Sequence, residues 1–209
     1  MADNYLEKKM EDYRASQPTK RRTATLRRLL LHNRSYRGYD NSFVVREDQL
    51  RRIIEVATLC PSARNQQVLR FRPVLSDECH KVLSHIRLGG ALPELHLPFP
   101  GSEPNAFVVI CSTVEESKYV DMDLGIVAQS MLLQATEIGL GGICIGAFDH
   151  EPIKEALNLP YEPLLVLAIG RPKESIELVE CHEGDSLTYY RTNNIHYVPK
   201  LSLDDLILK

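Results

Sequence analysis

Cys60-Pro61-Ser62-Ala63-Arg64-Asn65-Gln66-Gln67 is the stretch on which the chain turns, because it separates an amphipathic helical pattern from a strand-like one. Pro61 has no N–H to donate and pushes Cys60 out of the helical region, so the residues after it form a loop. Ser62, Asn65 and Gln67 place a hydroxyl and two carboxamides in that loop, each able to donate and accept hydrogen bonds. Such groups suit a flat heteroaromatic ligand with alternating donors and acceptors. The same groups also cap helices and close Asx-type turns, and the loop alone does not choose between the two.

Upstream, Glu47 and Asp48 open a helix whose dipole they complement. Leu50, Ile53, Ile54 and Ala57 follow the i, i+3, i+4, i+7 template, leaving Arg51, Arg52, Glu55 and Thr58 to face water. An earlier helix is expected over residues 23–32, with Leu26, Leu29, Leu30 and Leu31 as its apolar stripe. It delivers the chain to Asn33-Arg34-Ser35-Tyr36-Arg37-Gly38-Tyr39-Asp40. Two arginines flanking a serine can grip a phosphate, the guanidinium forks bidentately and the hydroxyl through one further hydrogen bond. Solvation of two surface arginines would account for the same residues. A first helix over residues 4–15, with Tyr5, Leu6, Met10 and Tyr13 on one side, is too short to stand alone and should pack on another surface.

Downstream, residues 70–76 alternate as a strand and residues 77–87 read as a helix. From 88 to 104 glycines and prolines break every period, as in a lid over a pocket or a surface excursion. Residues 105–113 are nearly all apolar, the pattern of a strand covered on both faces. Residues 122–138 form a helix with Leu124, Val127, Met131, Ala135 and Ile138 on one stripe and Ile126 and Leu133 off it. A helix with so little polar surface lies centrally in a fold or in an oligomer interface. Gly139-Leu140-Gly141-Gly142 is not a dinucleotide fingerprint, because a helix precedes it and Cys144 stands where a glycine or alanine is needed. It reads instead as a helix C-cap running into a strand over 143–148. A short helix over 149–157, a strand over 164–169, a hairpin around Thr192-Asn193-Asn194 and a short last helix over 201–207, with Lys200 near its start, complete a mixed α/β pattern.

A chain of 209 residues suits one domain. Its net charge of −3 lacks the basic excess of a nucleic-acid binder, and Lys20-Arg21-Arg22 and Arg27-Arg28 read as solvated helix faces. The five cysteines contain no C-x-x-C pair and the histidines no H-E-x-x-H, so neither a disulfide framework nor a metal site is expected. Cys111 and Cys144 lie in apolar runs and are expected to be buried as small hydrophobes. No apolar run approaches the roughly 18 residues that span a bilayer, and Met1-Ala2-Asp3-Asn4 has no signal-peptide character, so a cytoplasmic location is expected.

Arg34-Ser35-Tyr36-Arg37, Pro61-Ser62-Ala63-Arg64-Asn65-Gln66-Gln67, Gly139-Leu140-Gly141, Ile145-Gly146-Ala147-Phe148-Asp149 and Lys200 occur in an order that resembles the nitroreductase family of FMN-dependent oxidoreductases. The resemblance covers residues 25–172 and the tail from Lys200. It implies an α+β fold with a central mixed, mainly antiparallel sheet flanked by helices, assembled as an intertwined homodimer. Residues 1–209 would form a single domain, with 1–24 a helical extension and 175–197 a hairpin insertion. Two FMN molecules would lie at the subunit interface, held by both chains. Arg34, Ser35 and Arg37 would bind the phosphate and the polar edge of the flavin, with Lys200 joining the phosphate site. Pro61, Ser62 and Asn65 would line the isoalloxazine ring, Gln67 would support their loop, and Gly141, Gly142, Ile145 and Gly146 would pass backbone close to the ring. Arg191 in the insertion is a further candidate.

The implied activity is ping-pong hydride transfer at flavin N5, from NADH or NADPH to an electron-poor small molecule such as a nitroaromatic or quinone, with no side chain as catalytic acid or base. Arg34 and Arg37 would also stabilise the reduced flavin. Dehalogenating or flavin-fragmenting chemistry on the same fold, and a non-catalytic flavin-binding or regulatory protein, are the alternatives. The chain departs from the family at Asn33, where many members are basic, and at Val68-Leu69, where Pro-Trp is common.

Overall fold

The computed structural model describes residues 25–90 and 95–208. The helix expected over 4–15, and with it the extension over 1–24, lies outside the described residues.

Helix α1 (Leu26–His32) starts where the Thr25 side chain accepts a hydrogen bond from the Arg28 N–H at 3.3 Å. Helix α2 (Glu47–Glu55) buries Leu50 and Ile53, tightens into a 3₁₀ turn (Val56–Leu59) and stops at Cys60, which is extended ahead of Pro61. Strand β1 (Leu69–Val74) follows the loop. The helix expected over 77–87 is only one turn, α3 (His80–Leu83), because Ile86 leaves it to bridge to Phe148. Strand β2 (Ala106–Ser112) is buried along its whole length, as a doubly covered strand should be. Helix α4 (Lys118–Glu137) starts at its N-cap Ser117 and ends before Gly139, which takes a φ of +80°. Strand β3 (Gly141–Ile145), helix α5 (His150–Ala156) and strand β4 (Glu162–Gly170) complete the main body.

These four strands form a wholly antiparallel sheet in the order β1-β2-β4-β3. Successive side chains of a strand point to opposite faces, and both faces are covered. Ala106, Val108, Ile110, Leu167 and Ile169 pack with Leu50 and Ile53 of α2 and Val127, Met131 and Ala135 of α4. Phe107, Val109, Val166, Ala168, Ile143 and Ile145 face the other way, onto Val82 of α3 and Ile153 of α5. The α+β architecture expected from the sequence is thus present. Among the described residues, parallel pairing is confined to the Ser35–Gly142 bridge and a second sheet.

That second sheet joins β5 (Ser175–Cys181), β6 (Tyr190–Thr192) and β7 (Ile195–Leu201) in the order β5-β7-β6. Its β6–β7 hairpin turns through Asn193 and Asn194, both in the left-handed region that two-residue hairpins demand. Lys200 lies in β7, ahead of the short C-terminal helix α6 (Leu203–Leu206). Helix α6 is tied down by Asp205, which accepts hydrogen bonds from the Ser202 hydroxyl at 2.7 Å and from the His182 ring at 3.0 Å. Among the described residues no helix is long and apolar enough to cross a membrane.

Two outcomes test this packing. A Cβ on Gly142 would lie 2.3 Å from the Ala168 carbonyl oxygen and 2.9 Å from side-chain atoms of Leu132 and Ile169. Gly142→Ala should therefore destabilise the protein by roughly 3 kcal/mol in urea unfolding, and a loss below about 0.5 kcal/mol would show that the strand can shift freely. The hydrogen bond and charge of Asp205 raise the proton affinity of His182, so its contribution is complete below the unfolded pKa of about 6.5 and fades as pH rises through the higher folded value. Asp205 is held below the usual carboxylate range by Ser202 and His182 and stays ionised across this window. Amide exchange in residues 202–206, corrected for intrinsic rates, should be faster at pH 8 than at pH 5.5, and equal rates would dismiss the tether.

Candidate functional site

The segment from Asn33 to Asp40 runs beside β3 as a short rail. Ser35 bridges to Gly142, and the Tyr36 N–H donates to the Gly142 carbonyl at 3.2 Å. The close approach depends on glycine, since a Cβ on Gly141 would lie 2.6 Å from both the Tyr36 ring and Pro172. Tyr39 anchors the rail: it is fully buried, packs where a Cβ on Gly170 would intrude at 2.6 Å, and donates its hydroxyl to the Tyr36 carbonyl at 2.8 Å. Burial drives the Tyr39 phenol far above its ordinary pKa, so it remains a neutral donor.

With the backbone fixed, Arg34, Ser35, Arg37 and Lys200 come to one cavity of about 340 Å³, lined also by Asn33, Gln129, Leu132 and Cys144. Its other wall comes from the second sheet through Ile176, Tyr189, His196 and Val198. Glu174 joins the two walls. This carboxylate, only 9% exposed, accepts from the Arg37 N–H at 2.5 Å and from the Arg191 guanidinium. The Arg37 guanidinium lies 5.2 Å from the centre of the Tyr189 ring and donates to the Ser35 carbonyl at 3.0 Å. Arg34 donates to the Leu30 carbonyl, and burial lowers its pKa without neutralising it. The Nε atoms of Arg34 and Arg37 are buried and have no partner among the described residues. Two orphaned guanidinium donors beside a serine hydroxyl and a lysine are the donor chemistry that a phosphate accepts.

The loop after Pro61 builds a different place. Pro61, Ser62 and Gln67 line a cavity of about 800 Å³ between α2, β1 and α4, together with Asp123 and Val127. Buried Asp123 receives the Ala63 N–H at 2.9 and 3.1 Å and so pins the loop. Ser62 Oγ accepts from the Gln67 N–H at 3.2 Å, and Asn65 Oδ1 accepts from the Gln67 side chain at 3.0 Å. The loop therefore closes a turn through the same residues expected to meet a ligand. Arg64, Asn65 and Gln67 all have positive φ, of 53°, 54° and 49°, a cluster of strained non-glycine residues. Asn65 is solvent-exposed and does not line the cavity.

The two places are separated by α4. Gln129 and Leu132 face the arginine cavity, whereas Asp123 and Val127 face the loop cavity. Asp123 and Leu132 are about two and a half turns apart, which puts them on opposite faces of the helix. Between these faces, Tyr119, Met122 and Ile126 are 46%, 59% and 41% exposed and form an apolar stripe. The cavity lined by the arginine rail and the one lined by the Pro61 loop share no residue.

The remaining expected residues divide. Gly141 and Gly142 are buried and required by the protein's own packing, while Gly146 is exposed with nothing near its Cβ position. The Ile145 side chain belongs to the core, leaving only its backbone for a ligand. Arg191 does not line the cavity and serves as the partner of Glu174. Cys144, expected to be buried, is exposed and lines the arginine cavity, because it alternates with inward-pointing Ile143 and Ile145. Cys79, Cys111 and Cys181 are the buried thiols among the described residues, the first two pushed up to about 12 and about 11 chiefly by burial. Glu174, Tyr189 and His196 carry no motif in the sequence and are recruited by the second sheet.

A protein of Archaeoglobus fulgidus that carries the provisional name NADH dehydrogenase/NAD(P)H nitroreductase is 28% identical over 167 residues, covering 75% of this chain and 90% of the relative. The structure of an FMN-dependent nitroreductase from Clostridium difficile is 27% identical and superposes with a TM-score of 0.57 over 70% of this chain and 87% of that one. A nitroreductase family protein from Streptococcus pneumoniae has the same fold at 19% identity, with a TM-score of 0.64 over 88% of this chain and 100% of that one. The model of the nitroreductase family matches residues 30–171, which take in the arginine rail, the Pro61 loop, α4 and all four strands of the main sheet, and the chain belongs to that family.

Proposed function

We propose that the protein is an FMN-dependent oxidoreductase that takes electrons from NADH or NADPH and delivers them to an electron-poor small molecule. It would work as a homodimer, with the arginine rail of one subunit and the Pro61 loop of a second copy holding one flavin between them. The observation that carries this reading is the placement of the two motif-bearing half-sites on opposite faces of α4, with an exposed apolar stripe between them. A symmetric partner seated on that stripe would set its own loop against the rail, and the same contact would be repeated on the other side. The NAD(P)H in the name of the Archaeoglobus relative and the FMN dependence of the Clostridium protein support the choice of cofactors.

Bound flavin would supply hydride chemistry that amino-acid side chains lack. Arg34, Arg37 and Lys200 would hold its phosphate and polar edge, with the Ser35 hydroxyl adding a hydrogen bond. Ser62 and Asn65 of the second copy would meet the heteroatoms of the ring, and Gly146 leaves room for close approach over the end of β3. Burial on both sides of the rail would keep water from competing for the guanidinium groups.

Purified protein should be yellow, release FMN on denaturation and bleach anaerobically on addition of NADH or NADPH. Colourless protein that takes up no FMN would refute the flavin reading, and yellow protein that neither nucleotide bleaches would be a passive binder. Arg37→Ala should weaken FMN binding at least about tenfold in a fluorescence titration, as expected for one charge-assisted hydrogen bond. The shared site has a sharper test. An Arg34→Ala/Arg37→Ala chain and a Ser62→Ala/Asn65→Ala chain should each be inactive alone. Unfolded together and refolded, they should recover about a quarter of the wild-type sites, since half of the dimers are mixed and each mixed dimer has one intact site. No recovery would mean that each flavin is held within a single chain.

A further inference from the structure

His196 is the second residue of β7, is only 2% exposed, and lines the cavity that holds Arg34, Arg37 and Lys200. Its Nδ1 has no hydrogen-bond partner among the described residues. A buried, unpaired ring nitrogen is unfavourable, so it needs an explanation. Around the ring stand Tyr189 at 5.0 Å between ring centres, Arg191 as its cross-strand neighbour in β6, Arg37 of the rail, Glu174 ahead of β5 and Lys200 further along β7. Burial, then the charges of Arg191 and Arg37, depress the proton affinity of the imidazole, and Glu174 only partly opposes them. His196 is therefore neutral in the free protein at neutral pH.

We propose that His196 is a further anion-binding residue of this cavity, taking up a proton when the phosphate of a ligand enters between Arg34, Arg37 and Lys200 and donating a hydrogen bond to it. The inference rests on the flavin reading for its ligand, FMN, but concerns a histidine from the second sheet. A phosphate dianion reverses the local field: it offsets the cations that keep the imidazole neutral and supplies the acceptor that the ring lacks. The proton comes from solvent, and the ring returns it when the ligand leaves. The phosphate cannot be the source of this uptake, because its own second proton, with a pKa of about 6, is lost rather than gained among cations. The second sheet is then a wall of the binding site rather than an appendage.

The test is calorimetric titration of FMN into flavin-stripped full-length protein at pH 7, in phosphate-free buffers of differing ionisation enthalpy, with riboflavin as the ligand lacking phosphate. Wild type should take up about half a proton or more per FMN and none per riboflavin. His196→Gln, which can hydrogen-bond but cannot titrate, should abolish the uptake. His196→Phe should weaken FMN about tenfold and leave riboflavin affinity unchanged, with circular dichroism showing that the variant is folded. The His196 ring signals, followed by proton NMR, should titrate at higher pH when FMN is bound. FMN binding by wild type without proton uptake, or equal uptake with riboflavin, would overturn the proposal and leave the flavin reading standing. Absence of FMN binding by wild type would overturn both.

Discussion

Helix α4 has to satisfy two demands with one surface. Its Val127, Met131 and Ala135 are needed by the sheet, yet Tyr119, Met122 and Ile126 are apolar too and join neither core among the described residues. A helix that is hydrophobic on more than its core face gains the rest of its stability only by being covered. The two faces flanking the uncovered stripe carry the two groups of polar residues, so on the proposed reading covering α4 and completing the flavin site would be one event. Each exposed branched or aromatic side chain removed from water would contribute on the order of 1–2 kcal/mol, against which any partner must set the cost of association.

The arginine rail illustrates how position is obtained without a regular element. Residues 33–40 have almost no secondary structure of their own, but Tyr36 and Tyr39 occupy the volumes that Gly141 and Gly170 leave empty. Glu174 then fixes Arg37 through its backbone rather than its guanidinium, which leaves the charged fork held by the Ser35 carbonyl at one N–H. Removing that carboxylate would leave Arg191 buried without its partner, and losses of this kind are larger than the net value of the pair.

Features set by local chemistry were legible in the sequence. Pro61 ended its helix, Gly139 capped α4, and the apolar run ending in Cys111 and Ser112 announced a strand buried on both faces. The short α3 was not legible, because nothing near Ile86 signals its distant bridge to Phe148. Cys144 was misjudged for a related reason: a short apolar run conceals its period-two alternation, and only the burial of Ile143 and Ile145 reveals which way the thiol points. The placement of Arg34, Ser35, Arg37 and Lys200 at one cavity and of Pro61, Ser62 and Gln67 at another was not legible. Order along the chain says nothing about which face of α4 each residue reaches. Glu174 and His196 became visible only when the second sheet folded onto the rail.

The three left-handed residues of the Pro61 loop carry a kinetic consequence. Arg64, Asn65 and Gln67 hold backbone angles that a free chain would rarely visit, and the Asp123 carboxylate keeps them there through the Ala63 N–H. The carboxamides are thus oriented before any ligand arrives, and little conformational freedom remains to be lost on binding. A loop already shaped in this way can meet successive molecules without reorganising each time, which is what the proposed two-substrate turnover would require.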